Sequence, residues 1–158
     1  MFQHCIEVLE NRGVTMDDLI DCVVYLQQRY LDNIDREEVR VDIIEILQKR
    51  EVQHAVLTGA FIDIAVENGT FGSKEIENII ANDEGLYGVD EVLAYGICNL
   101  YGSIALTNYG YIDKVKPGII GKLNEDHDGV CNTFMDDIVG AIAAAAASKL
   151  AHTNGKKD

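Results

Sequence analysis

The sequence predicts an all-α protein: a compact single-domain bundle of about six helices, with a C-terminal helix of small residues packed at its centre. Three observations support this fold class. The 158 residues include a single proline, so the turn signals that separate short strands are scarce. Apolar residues recur at helical spacing along most of the chain. Residues that favour helix N-termini precede several of these apolar runs.

The N-terminal part, residues 1–50, is expected to form amphipathic helices. Thr15 is positioned to cap one of them, with Asp18 three residues later as its reciprocal partner in a capping box. Asp35 is positioned to cap another, with Glu38 at the third position after it. Behind each cap the apolar residues follow a helical stripe, so both helices should bury one face.

Residues 51–152 form the second part of the predicted domain, and residues 153–158 are expected to be a frayed tail. The helices predicted here span residues 51–68, 74–82, 88–106 and 134–151. Gly69 suits the C-terminal end of the first of these helices, and Ser73 suits the start of the second. The glycine-rich stretch at residues 107–129 is expected to form turns around a short helical piece.

The last predicted helix is made of unusually small residues. Thr133 is expected to cap it, with Asp136 three positions on. Six of the ten residues from Ile138 to Ala147 are alanine and one is glycine, so neighbouring helices can approach closely. The two aspartates that precede this run, Asp136 and Asp137, would then lie at the entrance to a tightly packed region.

The net charge and the composition exclude several classes of function. With 27 acidic against 13 basic residues, the net charge is −14, which repels nucleic acid and disfavours adhesion to anionic lipid. No apolar stretch reaches the ~20 residues of a membrane-spanning helix, so membrane contact is expected to be peripheral at most. The first residues do not resemble a signal peptide, and the four cysteines lack paired metal or redox spacing, so a cytoplasmic protein with reduced, buried thiols is expected.

Acidic residues stand among apolar residues at three places in the second part of the chain. They are Asp90 with Glu91, Asp113 with Lys114 and Lys116 nearby, and Asp136 with Asp137. Both acidic pairs fall in or near the first turn of a predicted helix, where the helix dipole favours a negative charge by ~0.3–1 kcal/mol. Either pair alone is therefore also explained as ordinary first-turn acids.

Taken together, the two pairs favour a divalent metal site. If both helices meet at their starts, several carboxylates converge, and their mutual repulsion requires a cation. Carboxylate oxygens are ligands for Mg²⁺, Mn²⁺ or Ca²⁺, and no histidine pair offers a competing zinc site. Lys116 has the compact charge that suits a phosphate oxygen.

These three motifs resemble those of the phosphatidylglycerophosphatase A family, in particular its soluble branch from Gram-positive bacteria. The resemblance rests on VDEVLAYG at 89–96, GYIDKVKPGII at 110–120 and FMDDIVGAIAA at 134–144, within roughly residues 54–150. It implies an all-helical fold and magnesium-dependent hydrolysis of phosphatidylglycerophosphate to phosphatidylglycerol and phosphate. This chain lacks the membrane spans and the Pro-Gly-Thr stretch of membrane-bound members, and residues 1–50 look like an addition.

The leading hypothesis is therefore a metal-dependent phosphatase. Glu91, Asp136 and Asp137 are predicted to hold one or two Mg²⁺ ions, with Mn²⁺ or Ca²⁺ as substitutes. The catalytic residues are predicted to be Asp90, Asp113 and Lys116: the lysine would hold the phosphate, and Asp113 or Asp90 would act as general base towards water.

Two other readings stay open. A non-catalytic helical protein that associates with itself would use the same acids as caps or for a structural cation. A phosphatase for a soluble phosphoester would keep the metal site but change the substrate. In the leading reading the partner is a phosphorylated lipid head group at the inner face of the membrane, and homo-oligomerisation is compatible with the apolar helix faces.

Overall fold

Nine α-helices make up the regular structure of residues 1–125 and 127–155, the part of the chain that the computed structural model describes. They are α1 (Phe2–Asn11), α2 (Met16–Gln27), α3 (Arg36–Leu47), α4 (Arg50–Glu67), α5 (Lys74–Ala81), α6 (Val89–Cys98), α7 (Ser103–Val115), α8 (Ile119–Asn124) and α9 (Met135–Asn154). No strand occurs in these two ranges, so the all-α prediction is confirmed. The predicted count of about six helices was too low.

The extra helices come mainly from residues 88–124. The single helix predicted over 88–106 is two helices, α6 and α7, because the chain turns at Gly102, whose φ of 86° lies in the left-handed region. Most of the region predicted as turns is also helical. Ala105, Tyr109 and Ile112 recur at helical spacing and are fully buried, and this packing outweighs the helix-weakening glycine among them.

The small-residue helix α9 lies at the centre of the fold, as predicted. It packs against α2, α3, α4, α6, α7 and α8, and fifteen of its twenty residues are buried. Alanine and glycine make this arrangement feasible because they let six surrounding helices approach one axis. The helix continues to Asn154, so residues 153 and 154 are helical rather than frayed, while residues 156–158 of the predicted tail lie outside the described ranges.

The start of α9 is capped by a residue from another helix. Thr133, the predicted cap, instead donates a hydrogen bond to the carbonyl of Ile80 at 2.6 Å. The fully buried carboxylate of Asp63, on α4, accepts hydrogen bonds from the backbone N–H groups of Phe134 and Met135, each at 3.0 Å. Burial raises the pKa of Asp63 to about 7, although these N–H donors favour its charged form.

An arginine from the first helix holds the segment that leads into α9. The Arg12 guanidinium donates to Glu67 at 2.6 Å, to the side chain of Asn132 at 2.8 Å and to the carbonyl of Cys131. The other side of the segment is fixed because Glu67 also accepts from the Cys131 N–H at 2.7 Å. The ends of α1 and α4 thereby set where the central helix begins.

Most of the other predicted helix ends agree with the structure. Thr15 and Asp18 form the predicted capping box, and Ser73 caps α5. Gly69, with a φ of 67°, follows the last turn of α4 and donates to the carbonyl of Val66. At α3, Asp35 is the cap, but it accepts from the Glu37 N–H.

The four cysteines are buried free thiols, as expected. Within the described residues, no helix combines the length and the apolar character required to cross a bilayer.

The first prediction concerns the cap that α4 supplies to α9. We expect Asp63→Ala to lower the free energy of unfolding by roughly 2–4 kcal/mol, because it leaves two buried N–H groups without an acceptor. Asp35→Ala, which removes an exposed cap, should cost about 1 kcal/mol. Urea denaturation of both variants measures the difference. An equal loss of unfolding free energy in the two variants would show that Asp63 does not stabilise the start of α9.

The second prediction compares two helical glycines. A Cβ atom on Gly59 would lie 2.2 Å from the Cδ1 atom of Ile138 and 3.2 Å from the Cβ atom of Phe134, whereas one on Gly140 would meet Ile112 at an ordinary 3.5 Å. Gly59→Ala should therefore destabilise the protein by about 1–2 kcal/mol, and Gly140→Ala should be neutral or stabilising. Thermal melting of the pair checks this order, and the reverse order would contradict the packing described here.

Candidate functional site

The acidic residues singled out in the sequence come together where three helix ends meet. Asp90 lies in the first turn of α6, Asp113 in the last turn of α7, and Asp136 and Asp137 in the first turn of α9. Lys116 follows directly after α7 in a left-handed conformation, with a φ of 51°. The site thus combines two helix N-termini, which favour negative charge, with a lysine at the end of the third helix.

Three carboxylates form the centre of this site. Asp113, Asp136 and Asp137 each have an oxygen atom within 4.8 Å of the corresponding oxygen atoms of the other two, and we call these residues the carboxylate triad. Asp136 and Asp137 are each only 4% exposed. Neighbouring helical residues point ~100° apart, but α9 is surrounded on all sides, so both side chains are enclosed by protein.

Lys116 bridges two members of the triad. Its Nζ atom lies 3.0 Å from an oxygen atom of Asp113 and 3.0 Å from an oxygen atom of Asp136. Burial disfavours the ammonium, but the two carboxylates outweigh this effect and raise the pKa of Lys116. Within the described ranges, Lys116 is the only basic side chain that forms an ion pair with the triad.

The charges of the triad are therefore only partly compensated. Burial raises the pKa of Asp136 to about 6, against the opposing effect of Lys116. The pKa of Asp137 is raised well above its usual range, first by burial, then by the charge of Asp136 and by a hydrogen bond with Asp90. Such shifts mark a site that gains from a further cation or from bound protons.

The structure brings most of the predicted site residues together, but not all of them. Asp136 and Asp137 converge as expected, Asp113 joins them in the triad, and Asp90, 8% exposed, contacts the triad through Asp137. Glu91, a predicted metal ligand, is exposed and lies outside the triad. Because α6 has solvent on one side, only one residue of its acidic pair can face α9. Which acids bind metal and which act as base stays a prediction.

Two residues near the triad were missed in the sequence. Asp83 precedes α6 in a loop with a φ of 48°, and its pKa is raised by burial and by the charge of Asp90. Tyr109 is fully buried, and its hydroxyl has no hydrogen-bond partner among the described residues. The charge of Asp137 adds to the burial that raises the Tyr109 pKa. Asp83 lies in a stretch that signals only a helix break, and Tyr109 lies in the stretch misread as turns.

A polar cleft of about 340 Å³ opens next to the triad. Its lining includes Asn82, Asp83, Asn124, Asn132, Thr133 and Asp136. Because Asp136 belongs both to the cleft and to the triad, a molecule in the cleft can reach the carboxylates. The amide and hydroxyl groups of the lining suit a hydrated, hydroxyl-bearing ligand better than an apolar one.

The chain is similar to several known proteins over nearly its whole length. It is 49% identical to the uncharacterized protein YutG of Bacillus subtilis, over 91% of this chain and 86% of that protein. A structure of the low temperature requirement C protein from Listeria monocytogenes superimposes with a TM-score of 0.93 at 54% identity, covering 98% of this chain and 96% of that one. The structure of YpjQ from Bacillus subtilis gives a TM-score of 0.94 at 42% identity, covering 100% and 97%.

A family model described as Phosphatidylglycerophosphatase A matches residues 9–152. The match takes in most of the N-terminal 50 residues, so the expectation that they are an addition to the family was wrong. It also includes every residue of the triad, Lys116 and Asp90. The chain belongs to the phosphatidylglycerophosphatase A family.

Proposed function

We propose that this protein is a magnesium-dependent phosphatase that hydrolyses phosphatidylglycerophosphate to phosphatidylglycerol and phosphate. The family supports phosphatase activity. The observation that carries the proposal is the convergence of Asp113, Asp136 and Asp137, from two helices, in a largely buried site beside a lysine. A buried concentration of acids is costly to fold around, which makes a structural purpose alone a weak explanation.

The donor set of the triad fits Mg²⁺. An octahedral Mg²⁺ ion holds its oxygen ligands at 2.0–2.1 Å, so ligand oxygens lie about 3 Å apart at adjacent positions and about 4 Å apart at opposite positions. The triad oxygens, within 4.8 Å of one another, need only small side-chain rotations to reach that spacing. Mn²⁺ accepts the same oxygen ligands, and the longer bonds of Ca²⁺ also match the present separation.

We propose that Asp113, Asp136 and Asp137 hold the ion, with Glu91 or Asp83 as additional ligands from the rim. Bound there, Mg²⁺ would neutralise phosphate oxygens and lower the barrier to attack at phosphorus. Lys116 contacts Asp113 and Asp136 in the structure, and once these carboxylates bind the ion its ammonium would be released to a phosphate oxygen beside the triad.

The proposed hydrolysis also requires a group that accepts and returns a proton. We propose that Asp90, which lies beside Asp137 in the first turn of α6, accepts the proton of an attacking water molecule. The buried Tyr109 hydroxyl lacks a hydrogen-bond partner in the described part of the chain, and we assign it no part in the reaction. Water forms the new P–O bond while the bond between phosphorus and the glycerol oxygen breaks, and the proton that Asp90 takes from the water passes to that oxygen.

The lipid substrate requires peripheral contact with the cytoplasmic face of the membrane. The net charge of −14 opposes that contact, and the polar cleft beside the triad also suits a soluble polyol phosphate. A phosphatase for a soluble phosphoester is therefore the second candidate. A substrate panel separates the two: phosphate release from phosphatidylglycerophosphate in mixed micelles is compared with release from glycerol phosphate and from nucleotides, each with and without Mg²⁺.

The third prediction tests the triad with a matched pair of acid-to-amide changes. Asp137→Asn should lower magnesium-dependent phosphate release by roughly a hundredfold or more, because it removes a ligand and a charge that the metal requires. Asp42→Asn should leave release unchanged: Asp42 is also buried, but it pairs with Lys149, about 20 Å further along α9.

The same variants separate binding from chemistry. Saturating Mg²⁺ should raise the melting temperature of the wild type and of Asp42→Asn, but not that of Asp137→Asn. If Asp137→Asn keeps both the thermal shift and the phosphate release, the triad is not the metal site. If no phosphoester of the panel is hydrolysed although Mg²⁺ still binds, the non-catalytic reading with a structural cation replaces the proposal.

A further inference from the structure

The polar cleft beside the carboxylate triad is unfavourable for an anion. The described residues that line it include three acids, Asp83, Glu125 and Asp136, and no lysine, arginine or histidine. Within the described ranges, Asp136 is the only one of these acids that forms an ion pair, with Lys116. The cleft therefore suits an uncharged part of a substrate whose phosphate group lies at the triad.

Arg12 fixes the orientation of one amide in this cleft. Its Nη2 atom lies 2.8 Å from the Oδ1 atom of Asn132, which lines the cleft. Because a guanidinium only donates hydrogen bonds, the amide oxygen must be the atom that faces it, and the amide NH2 group is turned away. No partner for this NH2 group occurs among the described residues. Asn132 therefore offers a ligand an N–H donor of fixed orientation.

Asn82 is fixed in the opposite sense. It follows directly after α5, and its Nδ2 atom donates to the carbonyl of Asn78 at 2.9 Å. A carbonyl oxygen only accepts hydrogen bonds, so the amide NH2 group is the one used in this contact. The Oδ1 atom of Asn82 is left for a ligand. Because Asn82 and Asn132 line the same cleft, the cleft combines a fixed acceptor with a fixed donor.

Among the uncharged groups of an alcohol phosphate, a hydroxyl group is the one that uses both a donor and an acceptor. The other neutral polar side chains of the lining do not replace this pair. Thr133 already donates its hydroxyl proton to the carbonyl of Ile80. Asn124 has a free amide, but no hydrogen bond within the described ranges fixes its orientation.

We propose that Asn132 and Asn82 bind the hydroxyl group that stands on the carbon next to the phosphate ester of the substrate. Asn132 donates to the hydroxyl oxygen, and Asn82 accepts the hydroxyl proton. The hydroxyl must be close to the phosphate, because Asp136 belongs both to the cleft and to the triad. This inference rests on the proposed phosphatase function and narrows its substrate class. Phosphatidylglycerophosphate and free glycerol phosphate both carry such a hydroxyl.

The fourth prediction compares substrates with and without this hydroxyl. The wild type should hydrolyse glycerol 1-phosphate with a kcat/KM about tenfold or more above that for propane-1,3-diol phosphate, which lacks only the hydroxyl next to the ester. Asn132→Ala and Asn82→Ala should each lower this ratio about threefold or more. Asn78→Ala is the matched control. It removes an exposed side chain outside the cleft, keeps the carbonyl that Asn82 binds, and should leave the ratio unchanged.

The same comparison in mixed micelles identifies the source of the hydroxyl. Phosphatidylglycerophosphate is set against its analogue without the head-group hydroxyl. A preference for the hydroxyl in either pair of substrates supports the proposal and shows whether the lipid or the soluble ester is recognised. Equal rates within both pairs overturn it. So does a ratio that stays unchanged in Asn82→Ala, whose exposed position makes a folding defect an inadequate explanation.

A binding measurement separates this inference from the proposed hydrolysis. With Mg²⁺ present, glycerol 1-phosphate should shift the side-chain amide signals of Asn132 in a ¹⁵N–¹H NMR spectrum, where Asn132→Ala assigns them by their absence. Propane-1,3-diol phosphate should shift them much less, and neither ester should shift those of Asn99, at the far end of α6. Shifts at Asn132 without hydrolysis would support the hydroxyl site and contradict the phosphatase. Signals that glycerol 1-phosphate leaves in place overturn the hydroxyl site.

Discussion

Two neighbouring carboxylates, Asp136 and Asp137, lie inside the protein at the start of its central helix, and much of the surrounding structure makes that burial tolerable. The small side chains of α9 let six helices pack around it, and this enclosure removes both acids from water. Lys116 compensates part of the negative charge of the two acids. The positive end of the helix dipole at the start of α9 stabilises the negative charge that remains. Asp63 and the Arg12 network fix the position of that end through contacts from α4 and α1. The acidic site and the hydrophobic core therefore depend on the same packing of helices around α9.

The sequence predicted those features that depend on local chemistry. The capping box of Thr15 and Asp18, the cap at Ser73 and the glycine after α4 all follow from residues within a few positions of one another. The sequence also predicted that Asp136 and Asp137, at a helix start, would meet other acids, and Asp113, from the end of α7, is one of the acids that they meet.

What the sequence could not supply depends on contacts between distant residues. Thr133 has every local property of a cap, yet its hydroxyl donates to the carbonyl of Ile80, and Asp63, 70 positions earlier in the chain, replaces it. Glu91 resembles Asp137 as half of an acidic pair, but α6 lies at the surface and α9 at the centre, so only the pair on α9 is enclosed. Membership of the family supports phosphatase activity. The geometry of the site alone is compatible with several functions.

Anomalous diffraction from crystals grown with Mn²⁺ tests the central claim most directly, because it locates a metal without reference to any substrate. The account predicts an anomalous peak within bonding distance of Asp113, Asp136 and Asp137, with the Lys116 ammonium moved away from its bridge between Asp113 and Asp136. Crystals in which Lys116 keeps that bridge, and no Mn²⁺ lies beside the triad at saturating concentration, would contradict it.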